Sequence, residues 1–149
     1  MEPYVGVLLM TKKGEIILQQ RDDKPGVRDA GKIATFGGGI EEGEDELDAV
    51  IRELKEELVI DVSRESIVKF CDYSLVPEIH GRSQKCAFFI IRDIDPEKIT
   101  VMEGQGYVLV SQKDNLEKLN LSVFIRDVVR DYFSTKEAGR EKIPQNMMR

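Results

Sequence analysis

GGIEEGEDELDAVIRELKEELVI, residues Gly38 to Ile60, carries two patterns at once. Leu47, Val50, Ile51, Leu54 and Leu58 recur at helical spacing and form one apolar stripe at about 100° per residue. Off that stripe lie Arg52 and three carboxylates, Glu53, Glu56 and Glu57. Residues three and four apart share a helix face, so the carboxylates project together. Like charges on one short arc repel unless a cation joins them, and hard divalent cations such as Mg²⁺ favour clustered oxygen ligands. An ordinary solvated acidic face is the plain alternative, but it needs neither the glycine run at Gly37–Gly39 nor Glu44 at its distance from Arg52.

The start of this helix is marked. Gly43 breaks the preceding strand, and Glu44, Asp45 and Glu46 crowd the first turn, where the macrodipole favours anions. Its end is unusual. Glycine after a helix supplies a left-handed residue, whereas the branched side chain of Val59 clashes at positive φ. The expectation is a changed helix exit, or a helix running directly into Val59-Ile60.

Working outward, Val5–Met10 reads as an apolar strand, Lys12-Lys13-Gly14 as a turn and Glu15–Arg21 as a second strand, together a hairpin. Residues 22–32, with Pro25, Gly26 and Gly31, read as a loop. Ile33–Phe36 is a short strand entering the glycines. Ile67–Val76 and Lys85–Ile91 are strands joined across Pro77–Ser83, and Val101 and Tyr107–Ser111 give short further strands. Leu121–Phe133 is helical, with Leu121, Phe124, Ile125, Val128, Val129 and Tyr132 on a core-facing stripe. Residues 1–134 are expected to form one domain, and 135–149 a polar, flexible tail.

The chain has 149 residues and a net charge of −6, enough length for one domain with a proper core. Lysines and arginines do not cluster, which argues against a broad phosphate-contacting surface for a nucleic-acid polymer. A small phosphorylated substrate is compatible, because a bound metal inverts the local field. No signal peptide and no membrane-length apolar run is read, so a cytoplasmic location without membrane contact is expected. Cys71 and Cys86, in separate strands, read as reduced buried thiols. His80, the single histidine, falls in a turn and reads as a surface residue.

The stretch resembles the Nudix box, G-x5-E-x7-R-E-U-x-E-E-x-G-U with U aliphatic. Gly38, Glu44, Arg52, Glu53, Leu54, Glu56, Glu57 and Ile60 match it. Val59 stands in place of the motif glycine, and Phe36 where many members carry proline. The resemblance implies an α/β/α sandwich with a mixed sheet, the box helix and a C-terminal helix. It also implies a metal-dependent hydrolase that cleaves a diphosphate bond in a nucleoside diphosphate linked to another group. By resemblance Glu53, Glu56 and Glu57 hold the metal, Mg²⁺ or Mn²⁺, with a backbone carbonyl of a Gly37-Gly38 turn as a further ligand. Glu44 and Arg52 form a structural ion pair.

Elementary chemistry agrees. Carboxylate-held Mg²⁺ keeps positions that phosphate oxygens can fill, and phosphoryl transfer needs mostly positioning and charge stabilisation. Glu103, in VMEGQGY, is a candidate general base or an exposed loop glutamate. Arg21 is a phosphate contact or a surface charge, and Gly38 lets a substrate or ion approach the backbone. The preferred substrate is a nucleoside triphosphate, oxidised or non-standard ones included, cleaved to the monophosphate and pyrophosphate. Alternatives are an ADP-ribose or nucleotide-sugar pyrophosphatase, although Pro77 does not clearly match the former's spacing, and a non-catalytic nucleotide-sensing module. An isopentenyl-type isomerase is disfavoured by the lone histidine. The expected partner is a small nucleotide, not a nucleic-acid polymer, and a homodimer is left open.

Overall fold

In the computed structural model, residues 2–137 are described. Seven strands form one mixed sheet. They are β1 (Tyr4–Met10), β2 (Ile16–Gln20), β3 (Ile33–Ala34), β4 (Phe36–Gly39), β5 (Val68–Leu75), β6 (Gln84–Ile91) and β7 (Tyr107–Val110). The helices are α1 (Glu46–Leu58), the single-turn α2 (Pro77–His80) and α3 (Val123–Glu137). The main path runs β3-β2-β1-β6-β5, with β4 beside β1 and β7 beside β2. β1 and β6 are parallel, and the other pairs are antiparallel.

β1 and β6 are central and nearly continuous in apolar residues because both their faces are covered. Successive side chains point to opposite faces. Leu8, Met10, Leu18, Phe88 and Ile90 therefore meet Phe124, Ile125, Val128, Val129 and Tyr132 of α3. On the other face Val5, Val7, Leu9, Ile17, Phe36 and Phe89 meet Ala49, Val50, Leu54 and Leu58 of α1. The result is the α/β/α sandwich with a mixed sheet. Among the described residues no helix is long and apolar enough to cross a membrane. Cys71 and Cys86 are buried, and burial pushes the Cys86 thiol up to about 11.

Several expectations need correction. The glycines do not form a turn: Phe36 to Gly39 pair as β4 with Val7 to Tyr4 of β1. Side chains would defeat this pairing, since a Cβ on Gly37 would run into the Val5 carbonyl oxygen. Val101 is in no strand. Instead, the Thr100 and Met102 amides donate to the carbonyls of Leu58 and Glu57, at 3.0 and 2.8 Å. This strip of backbone satisfies the exposed end of α1. Leu121 precedes α3 and makes an isolated bridge to Ile33. His80 closes α2, and its Nδ1 accepts the Val76 amide at 2.9 Å. The helix α3 continues through Glu137, and residues 138–149 of the expected tail lie outside the described residues.

The end of α1 also differs from expectation. Val59 adopts φ 56° and ψ 41°, the left-handed geometry of the motif glycine, and its amide bonds the Lys55 carbonyl at 3.1 Å. The exit takes the left-handed shape that favours glycine despite the side chain. Val59 is 51% exposed, so about half of the residue faces solvent. At the other end Asp45 caps the helix, accepting the Asp48 amide at 2.7 Å, while Asp48 accepts that of Asp45 at 3.3 Å. This reciprocal cap is an aspartate version of the capping box.

Candidate active site

The helix α1 lays its acidic side against β4. Glu57 is the most buried carboxylate there, 5% exposed. Its Oε1 accepts the Gly37 amide at 2.9 Å. Burial, then the charge of Glu53, pushes its carboxyl up to about 8, although the Gly37 hydrogen bond opposes this. The Glu53 carboxyl is raised too, chiefly by burial and against the pull of Arg52. Gly38 faces it: a Cβ there would occupy the space of the Glu53 carboxylate. The glycine is needed for room rather than for backbone conformation. Glu56 stands apart, with 59% of its side chain exposed.

Arg52 ties these pieces together. Nε and Nη2 donate to the two Glu44 oxygens at 2.7 and 2.9 Å, a bidentate fork. Nη2 also donates to the Gly39 carbonyl at 2.9 Å. Nη1 reaches Glu53 at 2.9 Å and Glu56 at 3.4 Å. Glu41 is 3.1 Å from Nε. The Arg52 hydrogen bonds hold the Glu44 carboxyl below its usual range and raise the guanidinium further above its own. The Glu44–Arg52 pair thus fixes the loop before α1 against both α1 and β4.

Could these residues hold a divalent cation? Their chemistry fits: three carboxylates on one helix, two of which burial makes reluctant to ionise. Their arrangement is not gathered in advance. Among the described residues no three acidic, histidine or cysteine side chains form a ready metal site, and Arg52 Nη1 sits between Glu53 and Glu56.

Glu103 lies in the loop that follows the Met102–Glu57 contact. Its side chain is exposed, yet its charge contributes to raising both Glu53 and Glu57. It therefore belongs to the same electrostatic field. Arg21, at the end of β2, pulls the Glu57 carboxyl down. Its Nε donates to the Arg28 carbonyl at 2.7 Å. The structure thus gathers Gly37, Gly38, Glu44, Arg52, Glu53 and Glu57 around one strand–helix contact, with Glu103 and Arg21 at its border and Glu56 toward solvent. Sequence reasoning missed Glu41, the Gly39 carbonyl and Gln19, whose amide donates to the Glu103 carbonyl at 3.2 Å. Gln19 left a trace in the sequence, a polar residue at an inward position of EIILQQR.

A cavity of about 490 Å³ opens beside the end of β4, with Tyr4, Ile40, Glu46, Tyr73 and Cys86 in its wall. Another, about 630 Å³, lies toward the β1–β2 turn and the segment after α1, lined by Lys13, Ile60, Asp95, Ile99 and Leu109 among others. None of the candidate residues lines either cavity.

The family model for the NUDIX domain matches residues 2–139. The chain belongs to the Nudix family. It is 40% identical over 84 residues to an RNA pyrophosphohydrolase of Cereibacter sphaeroides, a match covering 54% of this chain and 49% of that protein. An RNA pyrophosphohydrolase of Roseobacter denitrificans is 32% identical over 104 residues, covering 60% and 61%. The chain thus spans about half to three fifths of the curated relatives it matches. The MutT protein of Methanosarcina mazei Go1 shares the fold, with a TM-score of 0.71 at 21% identity over 95% of this chain and 98% of that one. Of the Nudix box residues named above, Gly38, Glu44, Arg52, Glu53 and Glu57 are gathered between β4 and α1.

Proposed function

We propose that this Nudix domain is a divalent-cation-dependent pyrophosphohydrolase of a nucleoside triphosphate or related nucleoside diphosphate derivative, acting in the cytoplasm. The observation that carries this reading is the Glu57 carboxylate, buried against the Gly37 amide beside Glu53. Glu53, Glu56 and Glu57 would hold the cation, with Mg²⁺ or Mn²⁺ suited to the all-oxygen set. A bound cation would neutralise phosphate charge and lower the pKa of an attacking water.

The chain's own residues supply the rest. Glu44 and the Gly39 carbonyl lock Arg52, which keeps Glu53 aimed at Gly38. Arg21 binds a phosphate oxygen from the β2 side. Glu103, exposed at the rim, accepts the proton of the attacking water. Water attack on the α- or β-phosphorus of a triphosphate forms one P–O bond and breaks the bond to the α–β bridging oxygen; Glu103 takes the water proton, and a nucleoside monophosphate and pyrophosphate leave.

Likeness to proteins named RNA pyrophosphohydrolase favours one second reading, in which the polyphosphate is the 5′ end of an RNA. The net charge of −6 weighs for the free nucleotide. The deciding experiment offers nucleoside triphosphates, oxidised nucleotides, ADP-ribose, nucleotide sugars and a 5′-triphosphate RNA, each with Mg²⁺ or Mn²⁺, and separates products by chromatography. Monophosphate plus pyrophosphate from free triphosphates is expected. Preferential cleavage of the RNA would move the substrate to the polymer, and binding without turnover across the panel would make this a sensing module.

A further inference from the structure

Gln19 breaks the pattern of its strand. Along β2, Ile17 and Gln19 point to the α1 side of the sheet, where Ile17 joins the apolar cluster. Gln19 is 3% exposed, and a leucine would extend that cluster. Burying an amide is unfavourable unless both its ends are bonded. Both are. Nε2 donates to the Glu103 carbonyl at 3.2 Å, and Oε1 accepts from Arg21 Nη1 at 3.4 Å.

Each partner is held elsewhere as well. Arg21 Nε is fixed on the Arg28 carbonyl. On the loop side the Met102 amide bonds Glu57, the Gln105 amide bonds the Gln20 carbonyl at 2.9 Å, and the Gln20 amide bonds the Gly106 carbonyl at 3.0 Å. A Cβ on Gly104 would collide with the Gln20 carbonyl oxygen at 2.6 Å and press on Gln19 Nε2. Glu103 is therefore bracketed between α1 and β2, and Gln19 is the side chain that closes the bracket. Glutamate offers only acceptors when ionised and lysine only donors; glutamine reaches a carbonyl and a guanidinium at once.

We propose that Gln19 is a positioning residue that holds the Glu103 loop and the Arg21 guanidinium in fixed relation across the acidic end of α1. This rests on the roles given above to Glu103 and Arg21. Gln19 acts through them and touches no substrate itself.

The test uses the full chain with Gln19→Leu, Gln19→Glu, Glu103→Gln and the Gln19→Leu/Glu103→Gln double variant. Three quantities are measured: Tm, amide hydrogen exchange over residues 100–106, and kcat and KM for the nucleotide that the wild type cleaves best. Gln19→Leu is expected to keep or raise Tm, to speed exchange over 100–106, and to lower kcat by about tenfold or more while raising KM. Gln19→Glu keeps the acceptor for Arg21 and sets an oxygen against the Glu103 carbonyl, so kcat falls while KM stays near wild type. In the Glu103→Gln background Gln19→Leu is expected to cost no further kcat. Multiplying kcat losses in the double variant, or unchanged exchange over 100–106 in both Gln19 variants, would overturn the proposal. A wild type that cleaves nothing would sink the hydrolase reading alone, while the exchange measurement would still decide whether Gln19 holds the loop.

Discussion

Val59 and Gly38 are where single residues meet their geometry most tightly. A left-handed conformation costs an L-residue about 1–2 kcal/mol, and glycine gives back roughly 0.5–1 kcal/mol through its greater unfolded-state freedom. With Val59 at φ 56° and half exposed, Val59→Gly is expected to gain up to about 1 kcal/mol. Thermal unfolding should show this as a rise of about 2–4 °C. Turnover should change by less than about twofold, because Glu53 and Glu57 lie upstream of the exit. A lower Tm would mean that the valine side chain holds the exit by packing. Gly38 gives the opposite case. In Gly38→Ala the new methyl would occupy the place of the Glu53 carboxylate, so a loss of about 1–3 kcal/mol is expected. Activity should fall even where the variant is folded, and wild-type activity in that variant would show that Glu53 need not sit there. The requirement for glycine at 38 was legible in the motif. Its cause was not, because the residue that needs the space is fifteen positions away in the chain and adjacent only once β4 lies on α1.

At the scale of elements, periodicity carried the reading where packing is simple. The stripes of α1 and α3 and the runs of β1, β5 and β6 came through because each buries whole faces against the sheet. It failed where backbone partners decide. Gly37-Gly38 looks like a turn by composition and is strand because β1 offers it hydrogen bonds. Val101 looks like a strand and is not one, because its neighbours bond the end of α1. Periodicity placed Glu53, Glu56 and Glu57 on one arc but could not say that only Glu57 is fully buried. That burial has a pH signature. The Glu57 carboxyl is pushed from 4.5 up to about 8, so between these values the folded state keeps a proton that the unfolded chain has released. The metal-free protein therefore loses stability as pH rises through this window and carries the full cost above it; below 4.5 the group contributes nothing. Glu57→Gln can still accept the Gly37 amide and has no charge to bury. Thermal unfolding in EDTA between pH 5 and 8.5 is expected to show a shallower decline for the variant and a higher Tm at pH 8. A variant that declines as steeply as wild type, or that is less stable at pH 8, would show that the ionised carboxylate holds β4 and α1 together.

For the whole molecule, the same charges that weaken the metal-free fold should make a cation a stabiliser. The chain carries a net charge of −6, and Arg52 is the cation already placed among Glu44, Glu53 and Glu56. It is committed to Glu44 and the Gly39 carbonyl, so it makes no hydrogen bond to Glu57, whose partner is the neutral Gly37 amide. A divalent ion binding only the folded state at about 100 times its dissociation constant contributes about 2.7 kcal/mol. In a chain of 149 residues that corresponds to a rise of roughly 5–10 °C in Tm. The gain should grow with pH from 6 to 8, since the ion displaces the proton that burial otherwise keeps on Glu57. Removing a ligand should shrink it: Glu57→Gln should be more stable than wild type in EDTA but gain much less from Mg²⁺ or Mn²⁺, so the two curves cross as metal is added. Exposed Glu56 contributes no such burial cost, so Glu56→Gln should lose the metal gain without the rise in EDTA. Calorimetry of the three proteins with EDTA and with each metal checks the pattern. Equal Tm values with and without metal at pH 8 would show that the acidic end of α1 takes no cation in solution, and the hydrolase reading would fall with it.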